Sequence, residues 1–182
     1  MLKSLLALSL LLACLLLTAC TTTVGNLNRY IDSKDGYQFS YPNGWVQVDV
    51  RDASAGVDAV FRDIVERTEN LSVIISEVPA GKTLPSLGTP TEVGYRFLKS
   101  KSGQASDREA EFITAAERDQ DGQVYYELEY EVSFPDRAPR HNLASVAVSR
   151  GKLFTFNIST SQARWEKIQP MFQAVADSFQ VY

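Results

Sequence analysis

Histidine and cysteine are nearly absent from this sequence. One His and two Cys in 182 residues exclude Cys₄ and Cys₂His₂ zinc sites. Both cysteines precede residue 21, so no disulfide framework staples a folded part and the domain must hold by packing. Glycine never clusters: its ten copies stand singly, which leaves no Gly-rich loop to cradle a phosphate. There is no Gly-x-Ser-x-Gly elbow, and a lone histidine, His141, is the only base of its kind for a serine or cysteine nucleophile. An excess of positive charge is missing too. Eighteen Lys and Arg against 22 Asp and Glu give a net charge of −4, a surface that repels phosphates and argues against nucleic acid as a partner. The acids fall in turns and on alternating positions, where they serve solubility, so no enzyme is expected. Asp119-Gln-Asp121-Gly122 has the start of a calcium loop, but Tyr130 stands where the bidentate Glu belongs. It reads as a hairpin turn.

The first twenty residues indicate where the protein resides. Lys3 and an apolar run from Leu5 to Leu17 have the layout of a signal peptide. The run is too short to span a hydrocarbon core of about 30 Å. Leu17-Thr18-Ala19-Cys20 looks like a bacterial lipobox, in which the cysteine thiol is lipidated, the peptide is cut before it and the new amine is acylated. Residues 1–19 are therefore read as a cleaved lipoprotein signal, 20–30 as a lipidated N-terminus with a flexible tether, and 31–182 as one domain. Two or three acyl chains would hold such a protein to a membrane, since each buried CH₂ contributes about 0.8 kcal/mol.

The rest alternates β-type runs with two helical segments. Tyr37 to Tyr41 and Trp45 to Val48 read as strands about the turn Pro42-Asn43-Gly44. Ala59–Glu66 and Leu71–Val78 read as a hairpin, followed by a Pro- and Gly-rich loop in which no regular element should persist. Thr89, Pro90 and Glu92 supply a capping box and a first-turn proline for a helix to about Lys101, with Val93, Phe97 and Leu98 on its buried side. Asp121-Gly122 and Arg150-Gly151 mark two further hairpins. In the strand after Asp121-Gly122, Val124, Tyr126, Leu128, Tyr130 and Val132 should face the core, with Tyr125, Glu127, Glu129 and Glu131 on a wet, acidic side. Ala144, Val146, Val148, Phe154, Phe156 and Ile158 should share one apolar face. Trp165, Ile168, Phe172, Val175 and Phe179 follow helical spacing. Pro170 predicts a short turn over 164–169 and a main helix starting near the proline. The expected fold class is α+β, an antiparallel β-sheet of six to eight strands sandwiched by helices.

His141 sits at a strand entrance, where a partly exposed imidazole and a carboxylate from a neighbouring loop can bind a divalent metal weakly. A surface histidine with a hydrogen bond or none is the favoured reading. By residue chemistry alone the chain is a lipid-anchored binding or assembly module.

Gly36-Tyr-Gln-Phe-Ser-Tyr-Pro-Asn-Gly-Trp45, the loop-rich centre, the block Gly151-Lys-Leu-Phe-Thr-Phe-Asn-Ile-Ser-Thr-Ser-Gln-Ala-Arg-Trp165, then Phe172 and Ser178-Phe179, resemble the PsbP family of extrinsic photosystem II proteins over about residues 30–182. With the lipobox the resemblance is to its cyanobacterial lipoprotein form. It implies a non-enzymatic monomer anchored on the lumenal side of the thylakoid membrane, with photosystem II lumenal subunits or assembly intermediates as partners. Plant relatives help retain Ca²⁺ and Cl⁻ at the manganese cluster; this chain has a short lipidated tether in place of their longer N-terminal segment, which makes the accessory or assembly role the expectation. The resemblance also places a proposed metal ligand of the plant proteins on His141, while the acidic companion is replaced by Gln162. No cofactor is required on this reading, and any divalent ion (Ca²⁺, Mn²⁺ or Zn²⁺) would bind weakly. A generic envelope lipoprotein that binds a small ligand or another protein is the competing class, and a carboxylate-based hydrolase the third.

Overall fold

Two-residue turns set the scaffold. Asp121 and Gly122 (φ 55° and 81°) and Arg150 and Gly151 (φ 50° and 73°) both take the left-handed conformations of type I′ turns, whose twist matches that of the flanking strands. A computed structural model describes residues 26–50, 56–102 and 108–182. Its elements in chain order are β1 (Leu27–Asp32), β2 (Tyr37–Pro42), β3 (Trp45–Val48), β4 (Val57–Asp63), β5 (Asn70–Glu77), α1 (Pro90–Ser102), β6 (Glu109–Gln120), β7 (Gln123–Ser133), β8 (Arg140–Ser149), β9 (Lys152–Ser161), α2 (Trp165–Asp177) and β10 (Gln180–Val181). A seven-stranded sheet runs β3-β4-β5-β9-β8-β7-β6, and a small sheet runs β1-β2-β10. Every pairing is antiparallel.

The large sheet is covered on both faces, so the fold is α+β with a helix on each side. On one face α2 and the small sheet enclose Tyr37, Phe39, Phe154, Phe156, Phe172 and Phe179, each at most 1% exposed. Burying each such ring contributes about 1.5–3 kcal/mol. On the other face α1 packs Val93 and Leu98 against Tyr126, Leu128, Tyr130 and Val146. The capping box forms as expected: the Thr89 N–H donates to Glu92 Oε2 at 2.8 Å and the Glu92 N–H to Thr89 Oγ1 at 3.3 Å. Gly94 lets the helix lie close on β6, because a Cβ there would stand 2.5 Å from the Phe112 ring.

Several expectations are corrected. β1 begins at Leu27, inside the stretch read as a tether, because its backbone pairs with β2 from Leu27↔Pro42 to Asp32↔Tyr37. β2 and β3 flank a turn but belong to different sheets. A short 3₁₀ turn, Pro85–Leu87, persists in the proline-rich loop. The six apolar residues of β8 and β9 divide between the two cores. A two-residue turn pairs positions of opposite parity in β8 and β9, as in Ala144↔Asn157 and Ser145↔Phe156, and paired residues share a face. The second face of β7 is not wet: Tyr125 is 1% exposed and its hydroxyl accepts the Val181 N–H at 3.0 Å. Pro170 lies within a continuous α2, and a 3₁₀ turn precedes the helix at Gln162–Arg164. The lost amide costs one hydrogen bond, and buried Trp165, Ile168, Phe172 and Val175 hold both sides of the proline to the same core.

Candidate functional site

His141 is the second residue of β8, opposite Glu131 on β7 and Thr160 on β9. Central position and antiparallel neighbours bury it to 3% exposure, in contrast to the partly exposed imidazole expected. Its ring stacks on the Trp165 indole at 3.8 Å and 15°. Both nitrogens are engaged: Nδ1 lies 2.8 Å from Gln162 Oε1 and Nε2 lies 2.7 Å from Glu129 Oε1. Gln162 comes from the 3₁₀ turn and Trp165 opens α2, so one imidazole ties the entry of α2 to the sheet. The residue named as the acid's replacement does meet His141. The carboxylate comes from the adjacent strand β7, not from a loop.

An ion pair with a buried carboxylate flanks this cluster. Glu69, 2% exposed, receives Arg164 Nε at 2.6 Å and the Thr160 hydroxyl at 3.3 Å. The hydrogen bond and charge of Glu69 raise the Arg164 guanidinium above its ordinary value. Arg140 bonds Ser159 Oγ at 2.9 Å and the Thr68 carbonyl; burial lowers its pKa, with Arg137 adding to the effect. These contacts bind the β4–β5 loop, β8, β9 and α2 together.

Chemically this is a clamp. The residues fit a divalent cation poorly, because the 2.7 Å contact between Glu129 and His141 is a hydrogen bond and a metal bridging the two groups, at about 2 Å from each, would need them further apart. A half-open cavity of about 230 Å³ on the α1 face is lined by Ile74, Phe97, Tyr130, Arg140, Asn142 and Asn157, and does not include His141. Asp32, Asp35 and Asp58 bring ligand atoms within 4.8 Å of one another, a grouping not anticipated from sequence. Each is already partnered: Asp32 Oδ1 accepts the Lys34 and Asp35 N–H groups, Asp58 accepts from the Tyr37 hydroxyl, and Lys152 Nζ lies 2.8 Å from Asp35. The Lys152 hydrogen bond and charge lower the Asp35 pKa.

Glu127 on β7 is half-buried beside a second carboxyl. Burial raises its pKa, the Asp177 carboxyl raises it further, and Arg118 at 2.9 Å opposes both. Alternation along β7 shows where Glu127 and Glu129 point, but not that a helix covers them. Cys20 lies outside the described residues. Among those residues no helix is long and apolar enough to cross a membrane.

Comparison with known proteins adds four observations. The family profile described as PsbP matches residues 25–181. The chain is 55% identical over 188 aligned residues to CyanoP of Synechocystis sp., covering 100% of both. It is 31% identical to "Photosynthetic NDH subunit of lumenal location 1, chloroplastic" of Arabidopsis thaliana, over 84% of this chain and 61% of the relative. Among solved structures, that of cyanobacterial PsbP (CyanoP) from Synechocystis sp. PCC 6803 superposes with a TM-score of 0.77 at 57% identity, covering 91% of this chain and 99% of that one.

Proposed function

The chain belongs to the PsbP family, and from that premise we propose that it is a lipid-anchored extrinsic protein on the lumenal side of the thylakoid membrane. There it associates with photosystem II as an accessory or assembly factor of the oxygen-evolving complex. The observation that carries this reading is the 55% identity to CyanoP along the whole of both chains. A second feature supports it: the histidine cluster is spent on holding α2 to the sheet, which suits a rigid binding module better than a catalyst. The role is binding by a monomer. The role requires no cofactor, and a divalent ion could reach His141 only by displacing the Glu129 hydrogen bond.

Acylated Cys20 would confine the domain to a layer near the membrane, so docking on a membrane complex becomes effectively intramolecular and a modest affinity suffices. The test is affinity purification from native thylakoids through a C-terminal tag, comparing the wild type with Cys20→Ser. The wild type is expected to bring down photosystem II subunits or assembly intermediates, with recovery falling sharply in the variant. Recovery of other membrane complexes without photosystem II would remove the assigned partner, and equal recovery by the two proteins would remove the anchor's role.

A further inference from the structure

Val65 is the most exposed large apolar side chain among the described residues, at 87%, and its neighbour Ile64 is 58% exposed. They form the tip of the β4–β5 loop, where turn chemistry favours polar residues. The tip is held stiffly: Asp63 Oδ1 accepts the Val65 N–H at 2.6 Å and the Glu66 N–H at 2.9 Å, and the Glu69 N–H donates back to the Glu66 carbonyl at 2.8 Å. The acids beside it are occupied. Asp63 caps the turn, Glu66 accepts from Thr68 and lies 4.0 Å from Arg164, and Glu69 is paired with Arg164. Arg62 and Arg67 on either side are exposed.

The position of this tip relative to the chain's entry gives it meaning. Leu27, the first residue of β1, pairs with Pro42. Two residues on, the Gly44 carbonyl accepts the Ile64 N–H at 3.3 Å. The strand that follows Cys20 therefore starts at the same end of the domain as Ile64 and Val65, only a β-turn apart. Seven Cα steps separate Cys20 from Leu27 and reach about 24 Å at most, which keeps this end of the domain close to any acyl chains on Cys20.

We propose that Ile64 and Val65 are a second membrane contact, an apolar tip that enters the lipid surface beside the acylated N-terminus and fixes which end of the domain faces the bilayer. The proposal rests on the reading of Cys20 as a lipid anchor. Two buried aliphatic side chains add a modest binding term, and Arg62 and Arg67 suit the headgroup level with their cations toward anionic lipid. Their main effect is orientation: with this end seated, the opposite end of the sheet, with the β6–β7 and β8–β9 turns, is turned away from the lipid. A lipid surface is favoured over a protein partner for this tip because the tether emerges beside it.

The experiment uses mature acylated protein carrying Val65→Cys or Lys34→Cys, reconstituted in phosphatidylcholine vesicles with and without phosphatidylglycerol. Lys34, in the β1–β2 turn, has a 90% exposed side chain and lies at the far end of β1. Cys14 is removed with the leader and the Cys20 thiol is blocked, so each variant presents one thiol to an environment-sensitive fluorophore. The expected result is a blue shift at position 65 and loss of its emission when nitroxide-labelled acyl chains are present, with neither change at position 34. An unshifted, unquenched probe at position 65 on protein whose N-terminal acylation is proven by mass spectrometry overturns the proposal and leaves the anchor intact. A missing acyl mass overturns both, through the anchor. A shift seen only in native thylakoids and not in protein-free vesicles overturns the lipid contact in favour of a protein one.

Discussion

His141→Phe separates the two ways in which the buried histidine holds α2. Phenylalanine keeps a flat ring against Trp165, 3.8 Å away in the native stack, and deletes the contacts of 2.8 and 2.7 Å to Gln162 and Glu129. Each such hydrogen bond contributes about 1 kcal/mol net, and a buried partner left without one costs more. The Glu129 side chain is 20% exposed, so water recovers part of its loss and the expected destabilisation is about 2 kcal/mol. His141→Ala also forfeits the stacked ring and leaves a cavity, and should cost about 4 kcal/mol. For a domain of this size those figures correspond to Tm decreases of about 6 and 12 °C. Urea unfolding followed by tryptophan fluorescence measures both, and Glu129→Gln added to His141→Phe completes a cycle whose coupling should exceed about 0.5 kcal/mol. If His141→Phe lies within about 0.5 kcal/mol of the wild type, the imidazole's polar contacts do not hold the helix and the clamp is wrong. Because the site is closed, folded His141→Phe should associate with membranes as the wild type does; a loss of association without a loss of stability would make the histidine part of the docking site.

Three further substitutions test other parts of the structure. Gly94→Ala drives a Cβ to within 2.5 Å of the Phe112 ring and should cost about 1–3 kcal/mol in urea unfolding, with Phe112→Leu restoring most of it; no effect from the single variant would mean that α1 does not lie on β6 as described. Glu127 has a raised pKa, so its folded form holds a proton that the unfolded chain has lost, and stability falls as pH rises from the ordinary carboxylate value, about 4.3, through the raised one. Glu127→Gln should therefore be more stable than the wild type at neutral pH and equal to it below about pH 4, and urea midpoints that stay parallel across that range would refute the burial argument. Gln162→Glu adds a carboxylate beside the His141 imidazole and should tighten Zn²⁺ binding about tenfold or more by titration calorimetry; unchanged affinity would show that any binding lies away from His141.

Local chemistry made much of this protein legible in its sequence. The capping box at Thr89 and Glu92, the type I′ turns at Asp121-Gly122 and Arg150-Gly151, and the alternation along β7 specify elements through contacts a few residues apart, and those elements stand in the structure. The PsbP resemblance likewise rested on short blocks with their own turn and core residues. That resemblance pairs His141 with Gln162, and the two side chains meet in the structure.

Tertiary structure decided what depended on partners far along the chain. Turn parity split the apolar residues of β8 and β9 between two cores, and the cover supplied by α2 changed the acidic face of β7 into a half-buried one. Long-range pairing drew Leu27 into a strand, and common packing kept α2 continuous through Pro170. Burial of His141 and its contact with Glu129 depend on three strands and a helix meeting at one point. Periodicity states which way a side chain points; only the assembled fold supplies the neighbour that determines whether water, a carboxylate or an indole is waiting there.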